Sequence, residues 1–193
     1  MEIRKILSLK YPMISAMLID KLLEISHVEI FHRNQIIIPL DKTDTHIYYI
    51  LNGATRGFVL NDGIEKTITI KTENNFFGCH NSVFHHTPSK QIYQALEETT
   101  VLKIPSEIIF KSDNFSVSDL QIISFGILEV LSRSFARLEA FSALSPQERY
   151  LQFQEEHPEL IQRINHKYLA SYIGITPVSL SRIRSKLVKK KLI

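Results

Sequence analysis

Val178, Arg182, Ser185 and Lys189 fall three or four residues apart, so on a helix they share one face, with Ser179 and Lys186 flanking it. A guanidinium there can donate two hydrogen bonds to a guanine edge, ammonium groups can meet phosphates, and a valine can touch only an apolar group such as a thymine methyl. That is the chemistry of reading duplex DNA, in which base contacts specify and phosphate contacts position. The surrounding residues suit a helix-turn-helix from His166 to Ser185. Leu169, Ile173, Ile175, Leu180 and Ile183 supply an apolar side, and Ala170 is small where two helices must cross closely. Gly174 comes where the first helix must turn sharply, which suits a left-handed conformation. Asn165 can cap the first helix, Thr176 the second, and Pro177 fits a first helical position. The DNA-contacting candidates are Thr176, Pro177, Val178, Ser179, Ser181, Arg182, Ser185, Lys186, Lys189 and Lys190. An ordinary helical hairpin in a core would need neither the Ala/Gly placement nor an acid-free surface.

A second group that could do chemistry is Cys79, His80, His85 and His86. Thiol and imidazole are good ligands for zinc or iron. The spacing contains no Cys-x-x-Cys or His-x-His, and one cysteine cannot hold an iron–sulfur cluster. No metal site and no cofactor is therefore assigned, with a metal or haem sensor as the alternative. No nucleophile–base pairing or Walker-type glycine loop stands out, and the chain reads as no enzyme.

Charge is distributed unevenly. Residues 161–193 carry eight Lys or Arg and no acid, whereas residues 1–160 sum to −5, so the overall +3 conceals an acidic body and a basic C-terminal module. A basic surface attracts phosphate. At 193 residues and 44% hydrophobic, the chain can hold one medium domain or two small ones with a real core. A single cysteine excludes an intrachain disulfide, and the start Met-Glu-Ile-Arg-Lys lacks the apolar run of a signal peptide. A cytoplasmic location without membrane contact is expected.

The elements that must position these groups follow from periodicity. Ile14, Met17, Leu18 and Leu22 predict a helix within residues 3–26, with Pro12 at a helix start. From about residue 27 to 110 short β-rich runs take over. Ile47–Leu51, Arg56–Leu60 and Thr67–Ile70 are separated by Asn52-Gly53 and Asp62-Gly63, both hairpin signals, and further strands are predicted at Gln35–Pro39, Gln91–Leu96 and Thr100–Ile104. This pattern predicts a small β-sandwich or roll. Residues 114–142 contain no proline, and Leu120, Ile123, Ile127, Leu131, Phe135 and Leu138 form one stripe on a long helix. The stripe can cover the roll of its own chain or form a two-chain seam, and Ile122, Leu128 and Val130 widen it enough for both. A homodimer is the favoured reading. A further helix runs from Gln147 to about Glu156, after Ser145-Pro146 and before Pro158.

This order of elements resembles the Crp/Fnr superfamily of bacterial transcription regulators over nearly the whole chain. Tyr48-Tyr-Ile-Leu-Asn-Gly53 resembles the roll's strand and glycine turn, and Leu169 to Ile183 resembles the DNA-reading unit, the more specific of the two. The resemblance implies an α+β fold: an N-terminal β-roll, jelly-roll-like and cyclic-nucleotide-binding-like, with flanking helices, a long dimerisation helix and a winged-helix-like C-terminal domain. The expected boundaries are 1–113 for the sensor-like roll with its N-terminal helices, 114–142 for the dimerisation helix and 143–193 for the DNA-binding domain. Implied partners are double-stranded DNA and a second copy of the chain, with RNA polymerase and a small-molecule effector also open. Many members continue into a wing hairpin beyond the position of Ile193, and Lys189, Lys190 and Lys191 are expected to supply phosphate contacts in its place.

The resemblance breaks at the ligand cassette. Members that bind cyclic nucleotides begin it with Phe-Gly-Glu, whose glutamate meets the ribose hydroxyl, and end it with Arg-Ser/Thr-Ala, whose arginine neutralises the phosphate. Here it runs from Phe77-Gly78-Cys79-His80 to Ser89-Lys90, with Cys79 at the glutamate position and Ser89 at the arginine position. Serine cannot replace a bidentate guanidinium, and Lys90, one strand position on, is expected to point away. The DNA helix departs as well: Val178 stands where members often carry a cytosine-reading glutamate, while Arg182 matches the guanine-reading arginine. The expectation is a DNA-binding regulator not controlled by cyclic nucleotide, with control by cyclic nucleotide, another small ligand or a metal as alternatives. From other classes, a cupin-type metal enzyme lacks its His-x-His, and a scaffold with a vestigial DNA module sits poorly with the acid-free tail.

Overall fold

The computed structural model describes residues 2–107 and 117–189. The N-terminal segment forms two helices, α1 (Glu2–Lys10) and α2 (Ala16–Ile25). Pro12 lies in the turn between them, and the helix start belongs to Ser15, whose hydroxyl accepts from the Leu18 N–H. Arg4 closes the hairpin on Asp20 at 2.7 Å, and Leu7 and Ile19 pack on Tyr49, Leu102 and Ile104 of the roll.

The roll contains β1 (His27–Phe31), β2 (Ile36–Ile38), β3 (His46–Asn52), β4 (Ala54–Asn61), β5 (Ile64–Thr72), β6 (Phe76–Phe77), the short helix α3 (His80–His85), β7 (Ile92–Ala95) and β8 (Thr99–Pro105). Two antiparallel sheets face one another, ordered β1-β8-β3-β6 and β2-β7-β4-β5. The Asp62-Gly63 hairpin is present between β4 and β5, and both residues have positive φ, 51° and 75°, as a two-residue turn of the favoured hand requires. Asn52-Gly53 is not a hairpin. It is a corner at which the chain leaves one sheet for the other, since β3 pairs with β6 and β8 while β4 pairs with β5 and β7. Glycine is required there by space and by backbone: φ is 102°, and a Cβ would lie 2.6 Å from the Glu98 carbonyl oxygen.

Beyond the roll come α4 (Val117–Ala143), α5 (Pro146–Glu156), α6 (Leu160–Arg163), α7 (His166–Ile173) and α8 (Pro177–Lys189). Ser145 starts α5 with a reciprocal capping box to Glu148. One apolar core joins the two ends of the chain: Ala54, Ile70 and Leu96 of the roll pack with Tyr150, Phe153, Leu160, Leu169 and Ile173. The stripe on α4 does not cover the roll of its own chain. Leu120, Ile127, Leu131, Phe135 and Leu138 are all 48–63% exposed, and Leu128 and Val130 are exposed beside them. The side chains of Ile122 and Ile123 lie outside the described residues, as do Lys190, Lys191 and Ile193.

Candidate nucleic-acid interface

Local sequence builds the helix pair. Asn165 accepts from the Lys167 N–H at 2.9 Å and starts α7. Gly174 ends it in the left-handed region at φ 85°, where a Cβ would meet Phe141 at 2.7 Å. Thr176 accepts from the Ser179 N–H at 3.2 Å, and Pro177 opens α8. Leu180 and Leu187 turn inward onto Leu169, Ala170 and Ile173, all buried. The opposite face is open: Thr176, Pro177, Val178, Ser181, Arg182, Ser185, Lys186 and Lys189 are exposed, while Ser179 is half-buried with its hydroxyl on Thr176. Arg182 and Arg184 diverge. Arg184 is half-buried and donates to the ring of His166, leaving Arg182 alone of the two on the open face. No carboxylate belongs to α8, so that face is positive throughout.

The cassette is built the other way. Gly78 is held close to β3, where a Cβ would stand 3.0 Å from the His46 carbonyl oxygen. Cys79 precedes α3 and is 1% exposed, whereas His80, His85 and His86 are exposed, so the thiol and the imidazoles face different sides. Among the described residues no three His, Cys, Asp or Glu side chains are grouped to hold a metal ion. Burial pushes the Cys79 thiol up, but its polar surroundings, Ser89, Ser82 and the local backbone, outweigh it and leave the thiol below its ordinary value. Ser89 is fully buried and donates to the Gln91 carbonyl at 2.6 Å. Ser89 and Lys90 lie in the loop before β7, not on a strand as expected, and Lys90 is exposed. Rings fill the neighbouring space: Tyr48 stacks on Phe77 at 4.9 Å and Phe77 on Tyr93 at 5.6 Å, in one core with Cys79. The Tyr93 hydroxyl donates to the Gly78 carbonyl at 3.0 Å and meets Gln91 at 2.9 Å. Burial, then the nearby Cys79, push the Tyr93 phenol far up, so it stays a neutral donor.

Residues 28–112 match the cyclic nucleotide-binding domain family. Across the whole chain, FixK2 from Bradyrhizobium japonicum superposes with a TM-score of 0.74 at 16% identity, covering 86% of each chain. The c-di-GMP responsive global regulator CLP from Xanthomonas campestris gives 0.71 at 16% identity, covering 92% of this chain and 94% of that one. The CRP/FNR family transcriptional regulator TTHA1359 from Thermus thermophilus gives 0.66 at 14% identity, covering 85% and 87%. The chain has the Crp/Fnr fold. No curated protein sequence matches it. No helix among the described residues is long and apolar enough to cross a membrane.

Within this Crp/Fnr fold, the described candidates for DNA contact come together on one helix. Of the cassette candidates, Cys79 and Ser89 are buried together, whereas His80 and Lys90 are exposed. Sequence reasoning missed the groups that hold α7 in place. Arg137 of α4 donates to the Tyr172 carbonyl at 2.8 Å, and Arg149 of α5 donates to the Ile173 carbonyl at 2.9 Å. These satisfy carbonyls that the end of α7 would otherwise leave open. Burial lowers the Arg137 pKa, against contacts to Tyr172 that favour its charge. The one signal in the sequence is the placement of an arginine on either side of the α4–α5 junction, which does not name their partners.

Proposed function

We propose that the protein is a sequence-specific DNA-binding transcription regulator of the Crp/Fnr type that works as a homodimer. The observation that carries this reading is the outer face of α8: a capped, well-anchored helix that exposes Val178, Arg182, Ser185, Lys186 and Lys189 without an acid. Arg182 is assigned to a guanine and Lys189 to phosphate. The exposed stripe of α4 is assigned to a second copy, because a run of large apolar side chains on one helix face is costly to leave in water. Two copies would present two α8 helices to half-sites about 34 Å apart.

Cyclic nucleotides are not the effector in this reading. A cyclic phosphate carries a full negative charge, and its burial needs a cation that buried Ser89 does not supply. The buried Cys79 and the Tyr48–Phe77–Tyr93 stack occupy the space beside it. The test is to retain genomic fragments on the purified chain at physiological salt and sequence them. Enrichment of an inverted repeat supports the proposal, and retention with no common sequence refutes it.

A further inference from the structure

The reading head is bound to its own roll through a junction of charged and aromatic groups. Arg56 on β4 is 1% exposed, with its guanidinium between the rings of Phe58 at 4.0 Å and Tyr168 of α7 at 3.8 Å. Its edge donates to Gln94 Oε1 at 2.9 and 2.7 Å and to Glu65 at 2.6 Å. Beside it Ser171 of α7 accepts from the Thr67 N–H at 2.9 Å and donates to the Glu65 carbonyl at 3.3 Å. On the other side Arg163 of α6 forks onto Glu73, at 2.6 and 3.3 Å, and also reaches Glu97. Both carboxylates come from the roll. Beneath these bridges lies the shared apolar core around Ala54, Ile70 and Leu96.

The junction is tied to the cassette through β7. Tyr93 points into the cassette, held by the Phe77 stack and by Gly78, while the next residue, Gln94, points out and meets Arg56. The Gln94 amide is fixed at its other end by the Asn34 carbonyl at 2.8 Å. One short strand therefore carries both Tyr93, bonded to Gly78, and Gln94, bonded to Arg56, and so links the start of the cassette to the junction.

We propose that this junction is a latch that holds the reading head on the roll in one orientation without an effector. The inference rests on α8 being the DNA-contacting helix for its meaning, but its test does not involve DNA. Hydrogen exchange is followed in the full chain for the amides of α7 and for Thr67, with and without added cyclic AMP. Arg163 and Glu73 are both part-exposed, so Arg163→Gln and Glu73→Gln are expected to fold, with far-UV circular dichroism as the control. Each should speed α7 exchange roughly tenfold, and the double variant should add little to Arg163→Gln alone, because that change already breaks the bonds to both Glu73 and Glu97. Tyr168→Leu keeps the apolar contact and removes the ring over Arg56, and should act in the same direction. Cyclic AMP should leave wild-type exchange unchanged. Protection of α7 that survives all three variants would overturn the latch. Protection that rises on adding cyclic AMP would overturn it too, by showing that the cassette still takes a ligand and governs the head.

Discussion

Ser89 in the cassette and Ser185 on α8 are the same kind of side chain in opposite situations. Ser89 is fully buried, and its hydroxyl donates to the Gln91 carbonyl and accepts from the Gln91 N–H. Ser185 stands in solvent beside Arg182 and Lys186 on a face with no acid. In the cassette, Ser82 donates to Thr87, Tyr93 to Gly78, and the rings close on one another. On α8 the polar groups await something outside the chain. A region that has met its own hydrogen-bonding needs has little to offer a ligand, whereas one that keeps charge and donors in water binds by exchanging water for a partner.

The contrast can be pressed at several points. The largest effect is expected at Ile127, which is 48% exposed in the single chain and belongs to the proposed seam. Ile127→Asp should leave the isolated fold intact but bury an unpaired charge in the dimer, weakening association by more than about 3 kcal/mol. Sedimentation should show folded monomers with reduced affinity for the inverted repeat; an undisturbed dimer would place the seam elsewhere. Next is Ser89→Arg, which restores the cassette's missing cation to a position that is fully buried. If the cassette is closed, the variant loses about 2 kcal/mol or more of stability in urea and still gives no heat with cyclic AMP or cyclic GMP. A stable variant that binds either nucleotide would mean the space can open.

A smaller effect is expected at Glu73. Burial pushes its carboxyl up, but bonds from Arg163 and from the Gly53 N–H prevail and hold it below the ordinary 4.5. The charged groups facing it are Arg163 and, through that arginine, Glu97. A depressed carboxylate stabilises the fold above its unfolded value, and the benefit fades as pH falls through the depressed value. Wild type should therefore exceed Glu73→Gln by about 1–2 kcal/mol at neutral pH, and the gap should close in acid. A gap that persists or widens in acid would contradict the ion pair. The smallest effect belongs to Lys189→Ala, which should weaken specific and random duplexes alike and reduce the slope of log affinity against log salt by roughly 1.

The helix-turn-helix was legible because its signals are local. Asn165, Gly174, Thr176 and Pro177 each act on the nearest turn, and the apolar spacing sets which side of α8 faces in. The β4–β5 hairpin was legible for the same reason at Asp62-Gly63. Asn52-Gly53 carries the same two-residue signal but makes a corner, because the space beside it is set by Glu98 and Thr99, far along the chain. Strands β1 and β6 escaped notice; β6 is only two residues and exists by pairing with β3. Pro12 misled because a turn and a helix start use the same residue, and Ser15 supplied the actual cap. The absence of the cassette's Glu and Arg was visible in the residues, but the packing of Cys79 in one core with Tyr48, Phe77 and Tyr93 was not. The latch was invisible: Arg163 meets Glu73 across 90 positions, and no local pattern encodes such a pairing.

The central claim is that α8 reads bases through Arg182. Its most direct test is fluorescence anisotropy of wild type and Arg182→Ala on the selected inverted repeat and on a random duplex of equal length, at one salt concentration. The expected result is a loss of about 1–3 kcal/mol on the repeat, little change on random DNA, and relaxed preference at a single guanine in each half-site. Equal losses on both duplexes would make Arg182 a phosphate contact and remove α8 from the base-reading role.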